Sequence, residues 1–177
     1  MRFQDKLVLV TGAASGIGLA IARRFLAEGA TVIGTDLDES RLYSVAAESA
    51  GKFVTRVSDA GDTDEIASLA DWIGGEYGRL DVLANNAGFA RMADPESVVR
   101  PDYDSQMNVL LTGPIFYVKH LAGLLRASAN GSVVNISSAS ALMSLPGYCP
   151  YGVAKGALVK FTEDSVVTVP GVRHNAV

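Results

Sequence analysis

The chain has 177 residues, 49% of them apolar, with a formal net charge of −4. That is the length of one domain and the composition of a globular protein. The mild acidity and the lack of a basic stripe argue against nucleic acid as a partner. No apolar run reaches a membrane span, and the run at 7–10 is too short for a signal sequence. The lone cysteine, Cys149, cannot close an internal disulfide, which fits a reducing, cytoplasmic compartment.

In chain order, strands alternate with helices. Positions 6–10 (KLVLV) form a continuous apolar run, as expected of a parallel strand buried on both faces. A helix over 17–28 follows, with Ile17, Ala20, Ile21, Phe25 and Leu26 at helical spacing and Gly29 as its stop. The second strand is 31–35, closed by Asp36. A helix over 39–50 ends at Gly51, and the third strand is 53–57. The next helix, 63–77, has Asp62 as a cap and Gly78 as a stop. The fourth strand, 81–84, runs into Asn85-Asn86-Ala87-Gly88.

An irregular stretch at 89–101 leads to a long helix from about 102 to 127. Gly113-Pro114 predicts a kink within it. The fifth strand is 132–136, a loop spans 137–150, a helix runs from Tyr151 to about 167, and a sixth strand occupies 172–177. This alternation predicts a single α/β domain over 1–177: a doubly wound, Rossmann-like parallel sheet of about six strands with helices on both faces. Ligands of such sheets lie beyond the carboxyl ends of the strands. The Gly12 turn, Asp36, the 85–88 turn and Ser138 all fall there.

Gly12, Gly16 and Gly18 follow the first strand and open a helix. Gly12 permits a tight turn, Gly16 lets a pyrophosphate approach the backbone, and Gly18 lets helix and strand pack closely. The helix start offers free N–H groups to phosphates. Ser15 and Ile17 belong to the same turn and are expected to border the cofactor, with Ser15 capping or bonding locally. The spacing Gly-x-x-x-Gly-x-Gly also suits an ordinary strand–helix turn. Asp36 can accept hydrogen bonds from both ribose hydroxyls and would repel a 2′-phosphate. Leu37 stands where a phosphate-binding arginine could be, so NAD is expected over NADP. A solvated turn carboxylate is the plainer reading of Asp36. Asp59 is a candidate for the adenine edge or a loop and capping carboxylate.

Hydride transfer to a carbonyl builds negative charge on oxygen and needs a proton donor and electrophilic help. Tyr151 and Lys155 lie one helical turn apart on one face. An ammonium about 4 Å from a phenol is worth about 4 kcal/mol at an effective dielectric near 20, roughly three pKa units before desolvation. Ser138, at a strand end, can donate to the carbonyl oxygen. A Tyr-x-x-x-Lys pair also occurs on many surface helices, so its weight comes from Ser138 and the glycine turn.

These motifs together resemble the short-chain dehydrogenase/reductase family. The likeness rests on Thr11–Gly18, Asn85–Gly88, Asn108, Ile136-Ser137-Ser138 and Tyr151-x-x-x-Lys155, and covers essentially the whole chain. It implies Tyr151 as general acid/base and Ser138 on the substrate oxygen. Lys155 would bind the nicotinamide ribose and lower the Tyr151 pKa. Asn108 would support a water-linked proton relay. Asn86, Ala87 and Gly88 would border NAD, Asn85 would tie the central sheet, and Ser137 would be structural.

The resemblance implies an alcohol or ketone as the small-molecule substrate, with a 3-oxoacyl thioester as an alternative. A cofactor-binding or regulatory fragment without turnover is the competing class of function. Leu142, Met143, Leu145 and Pro146, with Phe89 and Met92, suggest an apolar substrate wall. The family also implies a homotetramer, paired through the helices that carry Leu110, Leu111, Ile115, Phe116 and Val118, and Val159, Phe161, Val166 and Val167. Family members continue with a Pro-Gly loop, a substrate lid and a seventh strand, so this sequence is expected to lack those parts. Tyr148 reads equally as a substrate contact or loop packing. Cys149 reads as a small buried filler or a thiolate at a helix start. His120 and His174 lack ligand spacing, so no metal is expected.

Overall fold

The computed structural model describes residues 1–177. Six parallel strands are β1 (Leu7–Thr11), β2 (Thr31–Asp36), β3 (Phe53–Val57), β4 (Val82–Asn85), β5 (Ser132–Asn135) and β6 (Arg173–Ala176). Their order is β3-β2-β1-β4-β5-β6. The order reverses between β1 and β4, where Val8 pairs with Val82 and Val10 with Ala84. A crevice opens beyond the strand ends at such a reversal.

The alternation of side chains along β1 splits the core into two layers. Val8 and Val10 face α1 (Gly16–Ala27) and α2 (Glu39–Ala47), packing with Ala22, Leu42 and Val45. Leu7 and Leu9 face α3 (Thr63–Tyr77) and α5 (Gly113–Arg126), packing with Ile66, Ile73, Tyr117 and Leu121. Helix α6 (Cys149–Thr168) covers this second face beside β5 and β6, with Phe161 against the cluster. The unbroken burial of β1 agrees with its all-apolar sequence.

The long helix expected over 102–127 is three pieces: α4 (Arg100–Met107), a π-helical segment Asn108–Thr112, and α5. The π turn ends where Pro114, which has no N–H, would otherwise be asked for an i→i−4 bond. The Gly113 N–H instead reaches the Asn108 carbonyl. A Cβ at Gly113 would lie 2.0 Å from the Ala60 carbonyl oxygen, so only glycine lets the helix approach the β3–α3 connection this closely. The loop expected over 137–150 contains a short 3₁₀ turn, Ala139–Ala141, and α6 begins at Cys149, earlier than expected. Pro150 then sits in the first turn, where its missing N–H costs nothing.

The residues expected to form a self-association face divide. Leu110 and Val118 are 1% and 3% exposed and belong to the chain's own core. Val166 and Val167 are 57% and 80% exposed.

Candidate active site

A cleft of about 720 Å³ lies beyond the carboxyl ends of β1, β2, β4 and β5. Its wall includes Gly12, Ser15, Gly16, Ile17, Asp36, Leu37 and Asp59 at one end. Asn86, Ala87 and Gly88 lie between, and Ser138, Tyr151 and Lys155 complete it. The volume is that of a cofactor or small-molecule site.

The glycine turn has the shape its sequence asks for. Gly12 and Gly16 adopt φ of 66° and 53°. A Cβ at Gly16 would meet nothing within 4 Å, so this part of the turn is open to a ligand. A Cβ at Gly18 would lie 2.0 Å from the Gly12 carbonyl oxygen, so the α1 start and the turn touch through bare backbone. Ser15 occupies the N-cap position with extended φ and ψ of −153° and 170°, yet its side chain makes no capping bond. The expected local bond is therefore absent, and Ser15 is exposed in the cleft wall.

Asp36 does more than border the cleft. Its Oδ2 accepts from the Ala14 N–H at 3.0 Å and its Oδ1 from the Asp38 N–H at 3.1 Å. Each oxygen keeps a lone pair for another donor. Leu37 beside it is 68% exposed. Asp59 Oδ1 accepts from the Gly61 N–H at 2.8 Å, a loop bond that leaves the residue in the cleft wall.

Thr11, to which the sequence reading gave no role of its own, joins the two sides of the reversal. Its Oγ1 accepts from the N–H groups of Asn86 at 3.0 Å and Ala87 at 2.9 Å. Asn86 Nδ2 answers by donating to the Thr11 and Gly12 carbonyls at 2.9 and 3.3 Å. Asn85, expected to tie the sheet, does so: its Nδ2 donates to Asn135 Oδ1, and Asn135 Nδ2 donates to Thr162 Oγ1, both at 2.8 Å. A threonine closing a strand just before a glycine turn was the available signal for Thr11.

At the other end, Lys155 is 4% exposed and its Nζ donates to the Ile136 carbonyl at 2.6 Å. Burial pushes its pKa down to about 8. Nζ lies 5.7 Å from the centre of the Tyr151 ring. Tyr151 packs edge-on against Tyr148 at 6.0 Å. Ser137 Oγ donates to the Lys155 carbonyl at 3.2 Å, and the residue also lines the cleft. Ser138 Oγ accepts from the Ser140 N–H at 3.2 Å and lies 3.0 Å from Ser140 Oγ. Ser140 was missed, although a Ser-x-Ser step after a strand is a known local turn pattern.

Asn108 was expected to support a water-linked proton relay. It is exposed, at the first position of the π segment, and its neighbour Val109 lines the cleft instead. Both side chains border Gly61, where a Cβ would lie 3.0 Å from Val109 Cγ2 and 3.3 Å from Asn108 Cβ. Leu110 faces inward: a Cβ at Gly88 would lie 2.7 Å from Leu110 Cδ2 and 3.9 Å from Lys155 Nζ.

Phe89 and Leu145 line the main cleft, and Leu142, Met143 and Pro146 line an adjoining cavity of about 840 Å³ together with Cys149. Met92 stands beside Gly147. No cluster of histidine, cysteine or acidic residues could hold a metal ion, and no helix is long and apolar enough to cross a membrane.

A doubly wound sheet with a glycine turn and a Ser, Tyr and Lys in one cleft is the architecture of a nicotinamide-dependent oxidoreductase. The family model for short chain dehydrogenase matches residues 6–175, and the chain belongs to that family. It is 36% identical over 182 residues to 3-oxoacyl-(acyl-carrier-protein) reductase FabG of Thermotoga maritima, covering all of this chain and 74% of that protein. It is 31% identical over 180 residues to galactitol 2-dehydrogenase of Agrobacterium fabrum, covering 70% of it. A short-chain dehydrogenase from Streptomyces avermitilis superposes with a TM-score of 0.91 at 33% identity, over 98% of this chain and 64% of that one.

Proposed function

We propose that this oxidoreductase transfers hydride between NAD(H) and a secondary alcohol or ketone. The observation that carries the reading is the single cleft that holds Gly12, Gly16 and Asp36 at one end and Ser138, Tyr151 and Lys155 at the other. When bound there, the nicotinamide ring would supply or accept the hydride.

The chain's own groups divide the remaining tasks. The turn at Gly12–Gly18 and the start of α1 hold phosphates through backbone N–H groups. Ser15, Ile17, Asn86, Ala87 and Gly88 border the cofactor, and Asp59 stands at its adenine end. Asp36 takes the adenosine ribose hydroxyls on its free lone pairs, and with Leu37 it disfavours a 2′-phosphate. Lys155 binds the second ribose with donors that its one carbonyl partner leaves spare. Ser138 donates to the substrate oxygen. Tyr151 gives or takes the proton at that oxygen, aided by the nearby ammonium. Asn108, at the first position of the π segment, would support a water-linked proton relay.

Leu145, Phe89 and the adjoining cavity favour an apolar substrate body. The similarity to a 3-oxoacyl reductase keeps a 3-oxoacyl thioester as a second substrate reading. Exposed Val166 and Val167 on α6 fit a homo-oligomer, in line with the tetramer that the family resemblance implies. The free thiol of Cys149 fits a cytoplasmic setting.

The test is turnover of a panel of ketones and alcohols with each nicotinamide cofactor, in the wild type and in Tyr151→Phe. Wild-type turnover that is lost in Tyr151→Phe, with NAD affinity held within a few-fold, supports the scheme. Cofactor binding without turnover of any substrate would favour a binding role.

A further inference from the structure

We infer that Ser140 is a positioning residue for Ser138. Its hydroxyl closes the acceptor side of the Ser138 oxygen, so that Ser138 can act toward the cleft only as a donor. The inference rests on the proposed role of Ser138 at the substrate oxygen.

The geometry begins with the backbone. Ser138 is extended, with φ and ψ of −164° and 156°, and caps the 3₁₀ turn Ala139–Ala141. Its Oγ folds back over that turn and accepts from the Ser140 N–H at 3.2 Å. Ser140 Oγ lies 3.0 Å away, and Ser140 is 9% exposed. Helix α6 fixes the turn from the other side, since a Cβ at Gly152 would lie 3.0 Å from the Ser140 carbonyl oxygen.

A serine hydroxyl offers one donor and two acceptor lone pairs. The Ser140 N–H fills one lone pair of Ser138 Oγ. The Ser140 hydroxyl has Ser138 Oγ as its one hydrogen-bond partner, so its proton goes there and fills the second. The reverse order would leave the proton of a nearly buried hydroxyl without a protein acceptor. What remains to Ser138 is its own O–H, directed into the cleft. Hydrogen bonds in series strengthen one another, so the Ser138 donor is also polarised.

This order assigns separate tasks to the two hydroxyls that meet the substrate. A carbonyl or alkoxide oxygen, which accepts, suits Ser138. The proton of a neutral alcohol cannot go to Ser138, whose lone pairs are filled, and has to go to Tyr151. Ser140, which also lines the cleft, thus enforces the direction of the proton through Ser138. Ser140→Ala would reopen one lone pair and allow the unproductive orientation.

Two measurements test this. Neutron diffraction from the deuterated wild-type protein should show the Ser140 hydroxyl deuteron on the line to Ser138 Oγ and the Ser138 deuteron pointing into the cleft. A Ser138 deuteron aimed at Ser140 Oγ overturns the inference whatever the substrate. With NADH and cyclohexanone as probes, Ser140→Ala should lower kcat about tenfold while leaving the KM for NADH and the melting temperature near wild type. Ser140→Thr, which keeps the hydroxyl, should restore most of the rate. Wild-type kcat in Ser140→Ala also overturns it. Failure of the wild type to reduce any ketone counts against the proposed function, and the neutron map then decides the hydroxyl order by itself.

Discussion

Lys155 Nζ donates to the Ile136 main-chain oxygen at 2.6 Å, and the structure gives this ammonium no other hydrogen-bond acceptor. Three donors with one partner make a poorly compensated buried cation. Its folded pKa of about 8 lies below the ordinary 10.5. The unfolded chain therefore takes up this proton first as pH falls. Stability is undiminished above 10.5, declines as pH drops toward 8, and stays reduced below. A shift of this size corresponds to about 3 kcal/mol.

Lys155→Met should therefore raise the stability of the cofactor-free protein at pH 7, by about 1–3 kcal/mol, while abolishing turnover. Urea denaturation at pH 7 and at pH 10.5 measures it, with the gain shrinking at the higher pH. An unchanged or lower midpoint would mean the ammonium is better solvated than its burial implies.

Asp81 presents the opposite case, a buried carboxylate with full company. Burial pushes its pKa up, but hydrogen bonds from the Leu7 N–H, Ser128 Oγ and Lys6 Nζ outweigh this and hold it below the ordinary 3.8. Its contribution is complete above pH 3.8 and is lost as pH falls through the folded value. Asp81→Asn should cost about 2–3 kcal/mol at pH 7 and flatten the acid limb of a melting-temperature profile taken between pH 2 and 7. A melting profile that overlays the wild type would contradict this.

His174 in β6 is 6% exposed and neither ring nitrogen has a partner. Burial holds its pKa below the ordinary 6.5. Stability is complete above 6.5 and falls below it, because the unfolded chain accepts the proton first. His174→Leu should remove the loss between about pH 6.5 and 5. Persistence of that loss in the variant would place its origin elsewhere.

Asp36→Ala combined with Leu37→Arg should shift cofactor preference toward NADP by removing a repelling carboxylate and supplying a cation. Because Asp36 also holds the Ala14 and Asp38 N–H groups, the double variant should lose some affinity for both cofactors. Titration with NAD and NADP reads both effects. Preference for NADP already in the wild type would refute the assignment of Asp36.

The fold was readable because its signals are local. The apolar run at β1, the glycines at 12, 16 and 18, and the Asp62 and Gly78 helix ends each act over a few residues. Asp62 does cap α3, accepting from the Asp64 and Glu65 N–H groups at 2.9 and 3.1 Å. What escaped depends on distance in sequence or on helical phase. Thr11 looks like one more strand residue until Asn86 and Ala87 arrive beside it. Asn108 and Leu110 differ in facing by the phase of a π turn that no propensity announces. Ser140 looks like a loop serine until the 3₁₀ turn folds it onto Ser138.

The bonds between Thr11 and the Asn86–Ala87 backbone also set an order of events during synthesis. The glycine turn precedes residue 19, yet its carbonyls are held by a side chain that the ribosome delivers much later. A nascent chain ending before β4 would have the glycine turn without the side chain that clasps it. Docking of β4 on β1 is therefore what completes the glycine turn.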